Sequence, residues 1–262
     1  MEDTGTYLQQ MRAAVPLVHN ITNYVAMNMM ANVLLAAGAS PAMVHAREEV
    51  AEFAGLAQAL SVNIGTPDPV WAEAMEMAAQ VMVDRGRPWV LDPVGVGATQ
   101  FRQQLCARLL TLRPTVIRGN ASEILALAGS GGQGRGVDAA DPVKAAEAAA
   151  RDLAQRTGAV VAVSGPVDYV TDASQAFRLS NGCALMPRVT AMGCALNGVI
   201  AAFVVDQPPL PATVAALAFY GLAGERAAQG ATGPGGFQSA FLDALYTLTP
   251  DDLTAGAKVS HA

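Results

Sequence analysis

The sequence predicts an α/β fold in which a mostly parallel central sheet is covered by helices on both faces. Short apolar runs alternate with longer helical patterns through the first two-thirds of the 262-residue chain, and this βαβα rhythm is typical of parallel sheets. Parallel folds of this kind bind ligands at the C-terminal edge of the sheet. Several apolar runs end at polar residues that would lie at this edge, namely Asn20, Asn63, Asp92 and Arg118.

Each element follows from its local pattern. Short apolar runs bounded by turn residues predict strands, and these runs are 14–18, 41–44, 61–64, 89–93, 115–118 and 159–163. Longer periodic segments predict helices, at 24–37, 46–58, 71–85 and 142–156. The runs 168–172 and 176–179 predict an antiparallel pair, and the rest of the chain beyond them is expected to be helical. Because no repeat or linker interrupts this order, we expect one domain spanning residues 1–262.

A glycine-dense segment, 129–136, matches no phosphate-loop spacing and predicts a surface loop. Two further stretches, 13–46 and 207–224, carry no Asp, Glu, Lys or Arg. Asparagines interrupt the first stretch and prolines crowd the start of the second. Both therefore predict buried segments rather than membrane spans.

Charge and cysteine usage exclude other classes of protein. The net charge is -6 and the basic residues are scattered, which argues against a nucleic-acid partner. The three cysteines have no paired or metal-binding spacing, as expected for a reducing compartment. The acidic N-terminus lacks the features of a signal peptide. We therefore expect a cytoplasmic protein.

The most informative segment, 189–198, has the pattern of a short turn that opens onto a buried helix. The first turn of a helix presents unpaired backbone N–H groups and the positive end of the macrodipole, so it can bind an anion. Cys194 would lie at this start, where the pKa of a thiol is expected to fall. A buried cysteine that serves packing alone is the alternative.

Asp92 and Glu123 are the candidate metal ligands. A carboxylate at a strand end beside a glycine-rich turn can hold Mg²⁺, directly or through water, but Asp92 could instead form a turn before Pro93. Glu123 could equally complete a capping box with Asn120. Arg118, at a strand end, is suited to bidentate phosphate contact.

Three other positions also have structural interpretations from their local sequence. Asn23 can cap the helix that follows it or face a ligand. Met43 has the character of a core methionine. Ser164, before a glycine, could contact a nucleotide phosphate or form an ordinary turn.

Six segments occur in order along nearly the whole chain, and together they resemble one family. They are 18–25 (VHNITNYV), 38–43 (GASPAM), 63–66 (NIGT), 91–99 (LDPVGVGAT), 118–124 (RGNASEI) and 167–172 (VDYVTD). With these motifs the chain resembles the hydroxyethylthiazole kinases of thiamine salvage. That resemblance implies the three-layer ribokinase-like fold. It also implies phosphorylation of the primary alcohol of 4-methyl-5-(2-hydroxyethyl)thiazole by ATP.

The resemblance also implies roles for individual residues. Met43 and Asn23 would contact the thiazole together with Gly193, and Arg118 and Ser164 would contact ATP. Asp92 and Glu123 would organise Mg²⁺. The amides of Met192, Gly193 and Cys194 would form the anion hole, and Cys194 would take the place of a catalytic aspartate in other ribokinase-like enzymes. A homotrimer with thiazole sites near the subunit boundaries is implied as well.

The chain departs from the family pattern at the anion hole. The usual Gly-Thr-Gly-Cys is replaced by Ala191-Met192-Gly193-Cys194, and a Cβ at Ala191 would compromise a backbone that needs a positive φ. Ser164 replaces the usual threonine, and Pro166 an acidic residue. Two alternatives therefore stay open: a kinase for another small alcohol, such as hydroxymethylpyrimidine or pyridoxal, and a catalytically impaired protein that only binds thiazole or nucleotide.

Overall fold

The computed structural model describes residues 3–129 and 142–262, without the side chains of residues 142–144. In this part of the chain nine strands form one sheet with the order β2-β1-β3-β4-β5-β6-β7-β8-β9. The strands are β1 (Leu17–Ile21), β2 (Ser40–Met43), β3 (Ala59–Asn63), β4 (Trp89–Asp92), β5 (Val116–Asn120), β6 (Val160–Ser164), β7 (Asp168–Thr171), β8 (Ala176–Leu179) and β9 (Val259–His261).

The first six strands pair in parallel, and β7, β8 and β9 continue the sheet antiparallel. Parallel pairing brings the carboxyl ends of β1, β3, β4, β5 and β6 to one edge of the sheet. The predicted α/β class and the predicted antiparallel pair of β7 and β8 are both confirmed.

The helices cover both faces of the sheet. They are α1 (Thr4–Ala14), α2 (Met27–Ala37), α3 (Val50–Ala54), α4 (Pro69–Asp84), α5 (Gln100–Thr111), α6 (Ala121–Gly129), α7 (Pro142–Thr157), α8 (Met192–Phe203), α9 (Pro209–Ala228), α10 (Pro234–Thr247) and α11 (Pro250–Gly256). One core lies beneath α1, α2 and α8–α11, and a second core lies beneath α3–α7 on the opposite face.

Strand β4 shows how one apolar run serves both cores. Val90 faces the core beneath α8, whereas Trp89 and Leu91 face the core beneath α4. Successive side chains of a strand point to opposite faces, so a strand that is buried on both sides must be apolar throughout. Within the described ranges no helix combines the length and the apolar character that crossing a bilayer requires.

Several predicted boundaries were wrong. The run 14–18 is not one strand: α1 ends at Ala14, Val15 turns the chain in a left-handed conformation, and β1 begins at Leu17. The helix predicted for 24–37 begins only at Met27, because residues 24–26 form a turn capped by Asn23.

The helix predicted for 46–58 is reduced to α3. The backbone of Gln58 is already drawn towards the sheet, where its N–H donates to Leu17 O at 2.9 Å. The C-terminal part is not wholly helical, because β9 adds an edge strand beside β8. Of the predicted loop at 129–136, Gly129 ends α6, and 130–136 lie outside the described residues.

Candidate active site

Polar side chains meet at the carboxyl edge of the sheet, directly beneath the start of α8. Asn63 and Asp92 end adjacent strands in register with each other, and Asn120 pairs in the same way with Ser164. Helix α8 packs across β1, β3 and β4. The parallel topology therefore assembles at one place residues that are far apart in the sequence.

The start of α8 has free backbone donors. Its first described backbone hydrogen bond runs from Ala195 N to Ala191 O at 2.8 Å, so the amides of Met192, Gly193 and Cys194 precede the hydrogen-bonded turns. Ala191 has φ +64° and ψ +5° and offers no capping side chain. The exposed amides and the helix dipole together form a site suited to an anion.

The carboxylate of Asp92 is the centre of the buried network. Its Oδ2 accepts from Asn63 Nδ2 at 2.5 Å and from Asn197 Nδ2 at 2.6 Å, and the residue is only 1% exposed. Burial raises the pKa of Asp92 to about 7, against the opposing effect of the Arg118 charge. An uncompensated negative charge is costly at such a position, so a cation beside it would be strongly favoured.

Cys194 occupies the expected position, but its protonation was predicted in the wrong direction. Burial raises the pKa of the Cys194 thiol, and the nearby Asp92 charge raises it further. The hydrogen bond from Asn23 Nδ2 to Sγ, at 3.3 Å, acts in the opposite sense but is the weaker effect. Burial and the Asp92 charge therefore outweigh the hydrogen bonds and the Arg118 charge, and the neutral thiol is the favoured form.

Arg118 lies against the start of α8. Its Nη2 donates to Ser164 Oγ at 2.5 Å. A Cβ added to Gly193 would lie only 2.9 Å from Arg118 Nη1, so a side chain at this position would displace the guanidinium from the start of α8. Arg118 Nε is buried and has no partner among the described residues.

A cavity of about 700 Å³ opens on the Arg118 side of α8. Its polar lining includes Arg118, Ser164 and Asp168, and its apolar wall includes Leu196 and Leu217. Cavities of this size suit a small-molecule ligand or cofactor, and a few polar groups on an apolar lining give it orientation.

Glu123 forms the capping arrangement that its sequence position suggested. Its Oε2 accepts from Asn120 N at 2.9 Å, and Asn120 Oδ1 accepts from Glu123 N at 3.0 Å. Its Oε1 accepts from Gly95 N at 3.1 Å, which ties the loop after β4 to α6. The charge of Glu123 also raises the pKa of Asp92, so the two carboxylates are electrostatically coupled across the strand ends.

Asn23 contacts Cys194, whereas Met43 is placed only by the edge of the sheet. Asn23 has both of its suggested functions, since Oδ1 caps the turn through Val25 N and Ala26 N while Nδ2 faces Asn63 and Cys194. Met43 ends the edge strand β2 in register with Asn20 and is half-buried. In the described part of the chain Met43 stands outside the hydrogen-bonded network.

Two residues of the site were missed at the sequence level. Asn197 donates to Asp92, and Asp168 lines the cavity. Asn197 could have been found, because it is a single amide in an otherwise apolar helix, and buried polar groups need partners. Asp168 lies in one of the six motif segments, but nothing in its local pattern placed it beside a cavity, since it opens a short strand in an exposed-looking segment.

Comparison with known proteins places the chain in one enzyme family. The model of the hydroxyethylthiazole kinase family matches residues 8–251. A hydroxyethylthiazole kinase from Cereibacter sphaeroides is 64% identical over 262 residues, covering 100% of both chains. The chain belongs to the hydroxyethylthiazole kinase family.

Solved structures agree with this family assignment. The structure of a hydroxyethylthiazole kinase protein from Pyrococcus horikoshii OT3 has a TM-score of 0.93 and 40% identity, covering 99% of this chain and 98% of that one. A ribokinase-like superfamily protein from Enterococcus faecalis V583 has a TM-score of 0.67 at 12% identity, covering 94% and 95%. The likeness to the Enterococcus protein concerns the fold alone. The chain itself has the three-layer ribokinase-like fold.

The left-handed conformation of Ala191 generates the first prediction. Replacing Ala191 with glycine removes a strain of about 1–2 kcal/mol, partly offset by the greater freedom of glycine in the unfolded chain. We expect the free energy of unfolding, measured in urea, to rise by about 0.5–1 kcal/mol. Ala173→Gly is the matched control, because Ala173 has φ +76° in the turn between β7 and β8. A loss of stability in Ala191→Gly alone would contradict strain at the start of α8.

The buried carboxyl of Asp168 generates the second prediction. Burial raises the pKa of Asp168 to about 6, so the folded state keeps a proton that the unfolded chain releases from about pH 4 upwards. The stability associated with this proton is lost as the pH rises through 6. Asp168→Asn should therefore gain stability over the wild type between pH 4 and pH 8, by up to about 3 kcal/mol.

Urea unfolding at pH 4.5, 6 and 8 checks this prediction. Asp172→Asn is the control of opposite sign. The Asp172 carboxylate accepts hydrogen bonds from Gln175 N and Ser174, and its pKa is lowered in the folded protein. The stability that the Asp172 carboxylate contributes is fully present above about pH 4 and is lost only below it, so Asp172→Asn should be less stable than the wild type by the same amount at all three pH values. A pH-independent difference for Asp168→Asn would show that its carboxyl is not desolvated.

Proposed function

We propose that the chain transfers the γ-phosphoryl group of ATP to the primary alcohol of 4-methyl-5-(2-hydroxyethyl)thiazole, giving the thiazole phosphate and ADP. Full-length similarity to hydroxyethylthiazole kinases supports this assignment. The observation that carries it is the position of the free α8 amides, which lie between the Arg118 cavity and the Asn23–Cys194 side of the site. A phosphoryl group held there would have a nucleotide on one side and an alcohol on the other.

The cavity beside Arg118 is the proposed ATP site. Arg118 and Ser164 would contact the phosphates, and the unpartnered Arg118 Nε leaves a donor for an anionic oxygen. The apolar wall would accept the base. Ser164 has the hydroxyl of the usual threonine, and this hydroxyl accepts from Arg118 Nη2.

Asp92 and Glu123 are the proposed residues for Mg²⁺. The described residues contain no group of three or more His, Cys, Asp and Glu side chains that could hold a metal. Mg²⁺ commonly takes one or two carboxylates and completes its sphere with water and phosphate oxygens, so these two residues fit. When bound, the ion would neutralise charge on the phosphate oxygens.

The thiazole alcohol is proposed to lie beside Cys194, in contact with Asn23, Met43 and Gly193. Its hydroxyl oxygen would attack the γ-phosphorus, the bond between that phosphorus and the β-phosphate oxygen would break to release ADP, and the hydroxyl proton would pass to solvent water. The amides of Met192, Gly193 and Cys194 stabilise the transferring group. Phosphoryl transfer depends mainly on positioning and charge neutralisation, so a neutral Cys194 thiol would act chiefly by orienting the hydroxyl.

The proposed catalytic unit is one domain of residues 1–262 that assembles as a homotrimer in the cytoplasm. Tyr24 and Val25, next to Asn23, are 62% and 61% exposed. Large apolar side chains exposed beside a substrate site are typical of a surface that a partner covers. All three cysteines are free, as a reducing compartment would keep them.

Release of ADP from purified protein with Mg-ATP tests the function. We expect turnover with hydroxyethylthiazole and far less with hydroxymethylpyrimidine or pyridoxal, because Asn23 and Met43 match the thiazole kinases. Cys194→Ala, purified in the same way, should bind the thiazole alcohol but turn it over slowly, which excludes a contaminating kinase. Turnover with one of the other alcohols only would show that hydroxyethylthiazole is not the substrate. Binding without any turnover would identify an impaired homologue.

A further inference from the structure

Asn197 is a buried amide within the apolar body of α8. It has no exposed surface, and Val199 and Ile200 follow it in the core beneath the helix. An amide in such surroundings is costly unless it makes hydrogen bonds. Its Nδ2 donates to Asp92 Oδ2 at 2.6 Å and to Gly193 O at 3.2 Å.

The second of these bonds fixes a peptide plane of the anion site. The carbonyl of Gly193 and the N–H of Cys194 belong to one planar peptide group and point in opposite directions. In a helix the carbonyl points towards the C-terminus, and the N–H points out of the first turn. Gly193 O is also the i−4 acceptor of the Asn197 backbone N–H, so the side chain adds a second donor that holds this peptide plane and with it the direction of the Cys194 N–H.

A separate branch reaches the side chain of the same cysteine. Asn63 donates to Asp92 Oδ2, and Asn63 Oδ1 accepts from Asn23 Nδ2 at 2.9 Å. Asn23 Nδ2 in turn donates to Cys194 Sγ. A closed ring of hydrogen bonds thus connects Asp92 with Cys194 twice, through the thiol on one side and through the backbone on the other.

We propose that Asn197 is a positioning residue for phosphoryl transfer. It locks the Gly193–Cys194 peptide to the Asp92 carboxylate, so that the Cys194 N–H is aimed at the phosphoryl group as it passes between nucleotide and alcohol. This role rests on the proposed kinase function and assigns to the same site a residue that itself touches no substrate. The Asp92 carboxylate and the amides at the start of α8 then keep a fixed geometry relative to each other.

The role predicts an effect on the transition state and little effect on nucleotide binding. The nucleotide lies against Arg118 and the cavity wall, which Asn197 does not contact. A misdirected amide weakens only the interaction with the planar phosphoryl group, where donor geometry is most demanding. If Asn197 had a purely structural role, its replacement would lower stability and would weaken nucleotide binding and the transition state equally.

Binding of MgADP, alone and with aluminium fluoride as a planar phosphoryl mimic, tests the proposal by calorimetry. In the wild type, fluoride complex formation should tighten ADP binding. Asn197→Ala should bind MgADP within about twofold of the wild type and should lose about tenfold or more of the affinity for the fluoroaluminate complex. In turnover, kcat should fall with little change in KM for ATP.

Gln207 provides a matched control. It is a buried amide like Asn197, and its Nε2 donates to Phe203 O, four residues before it, at 2.8 Å and to Tyr7 O at 3.2 Å. It lies just beyond the C-terminal end of α8, away from the site. Gln207→Ala should lower the melting temperature about as much as Asn197→Ala does and should leave the fluoroaluminate affinity unchanged.

Equal weakening of MgADP and of its fluoroaluminate complex in Asn197→Ala, or no weakening of either, would overturn the proposal. Failure of the wild type to gain affinity with fluoride would overturn it as well. Should the alanine variant not fold, Asn197→Leu fills a similar volume but can donate to neither Gly193 O nor Asp92. A folded leucine variant with wild-type fluoroaluminate affinity would equally overturn it. These readouts need no alcohol, so failure of the thiazole assay remains a separate result.

Discussion

The buried carboxylate of Asp92 is the constraint on which the site depends. Two amides from different layers of the fold, Asn63 on the sheet and Asn197 on α8, converge on one of its oxygens. The contact therefore ties the helix to the strand ends. The buried charge is tolerated because it is hydrogen-bonded and faces Arg118. The pKa of Asp92 is nevertheless raised, because these contacts offset only part of the cost of burial. A substrate-bound cation would relieve that cost.

The same carboxylate shapes the chemistry next to it. It raises the pKa of the Cys194 thiol, so the start of α8 provides donors for an anion without producing a stable thiolate. Arg118 supplies the positive charge, and Gly193 supplies the space for it. Catalysis in such a site relies on fixed dipoles and geometry more than on a strong base, which is compatible with a cysteine in place of an acidic residue.

Much of the fold was predictable because strand and helix periodicities are local. The boundaries at Val15 and Gln58 were not, since a left-handed cap and a tertiary hydrogen bond decide them. Arg118 and Glu123 could be singled out because they lie at the end of a predicted strand and just after it. The raised pKa of Cys194 and the partnership of Asn197 with Asp92 could not, because both depend on three-dimensional burial between residues that are distant in the sequence.

The pH dependence of Cys194 alkylation by iodoacetamide, followed by peptide mass spectrometry, tests this account most directly. Desolvation and the Asp92 charge predict an inflection above the ordinary thiol pKa of about 8.5. The inflection should move to lower pH in Asp92→Asn, where the neighbouring negative charge is removed. A rate that already reaches its plateau near pH 7 in the wild type would contradict the account, because Cys194 would then be a thiolate activated by the start of α8.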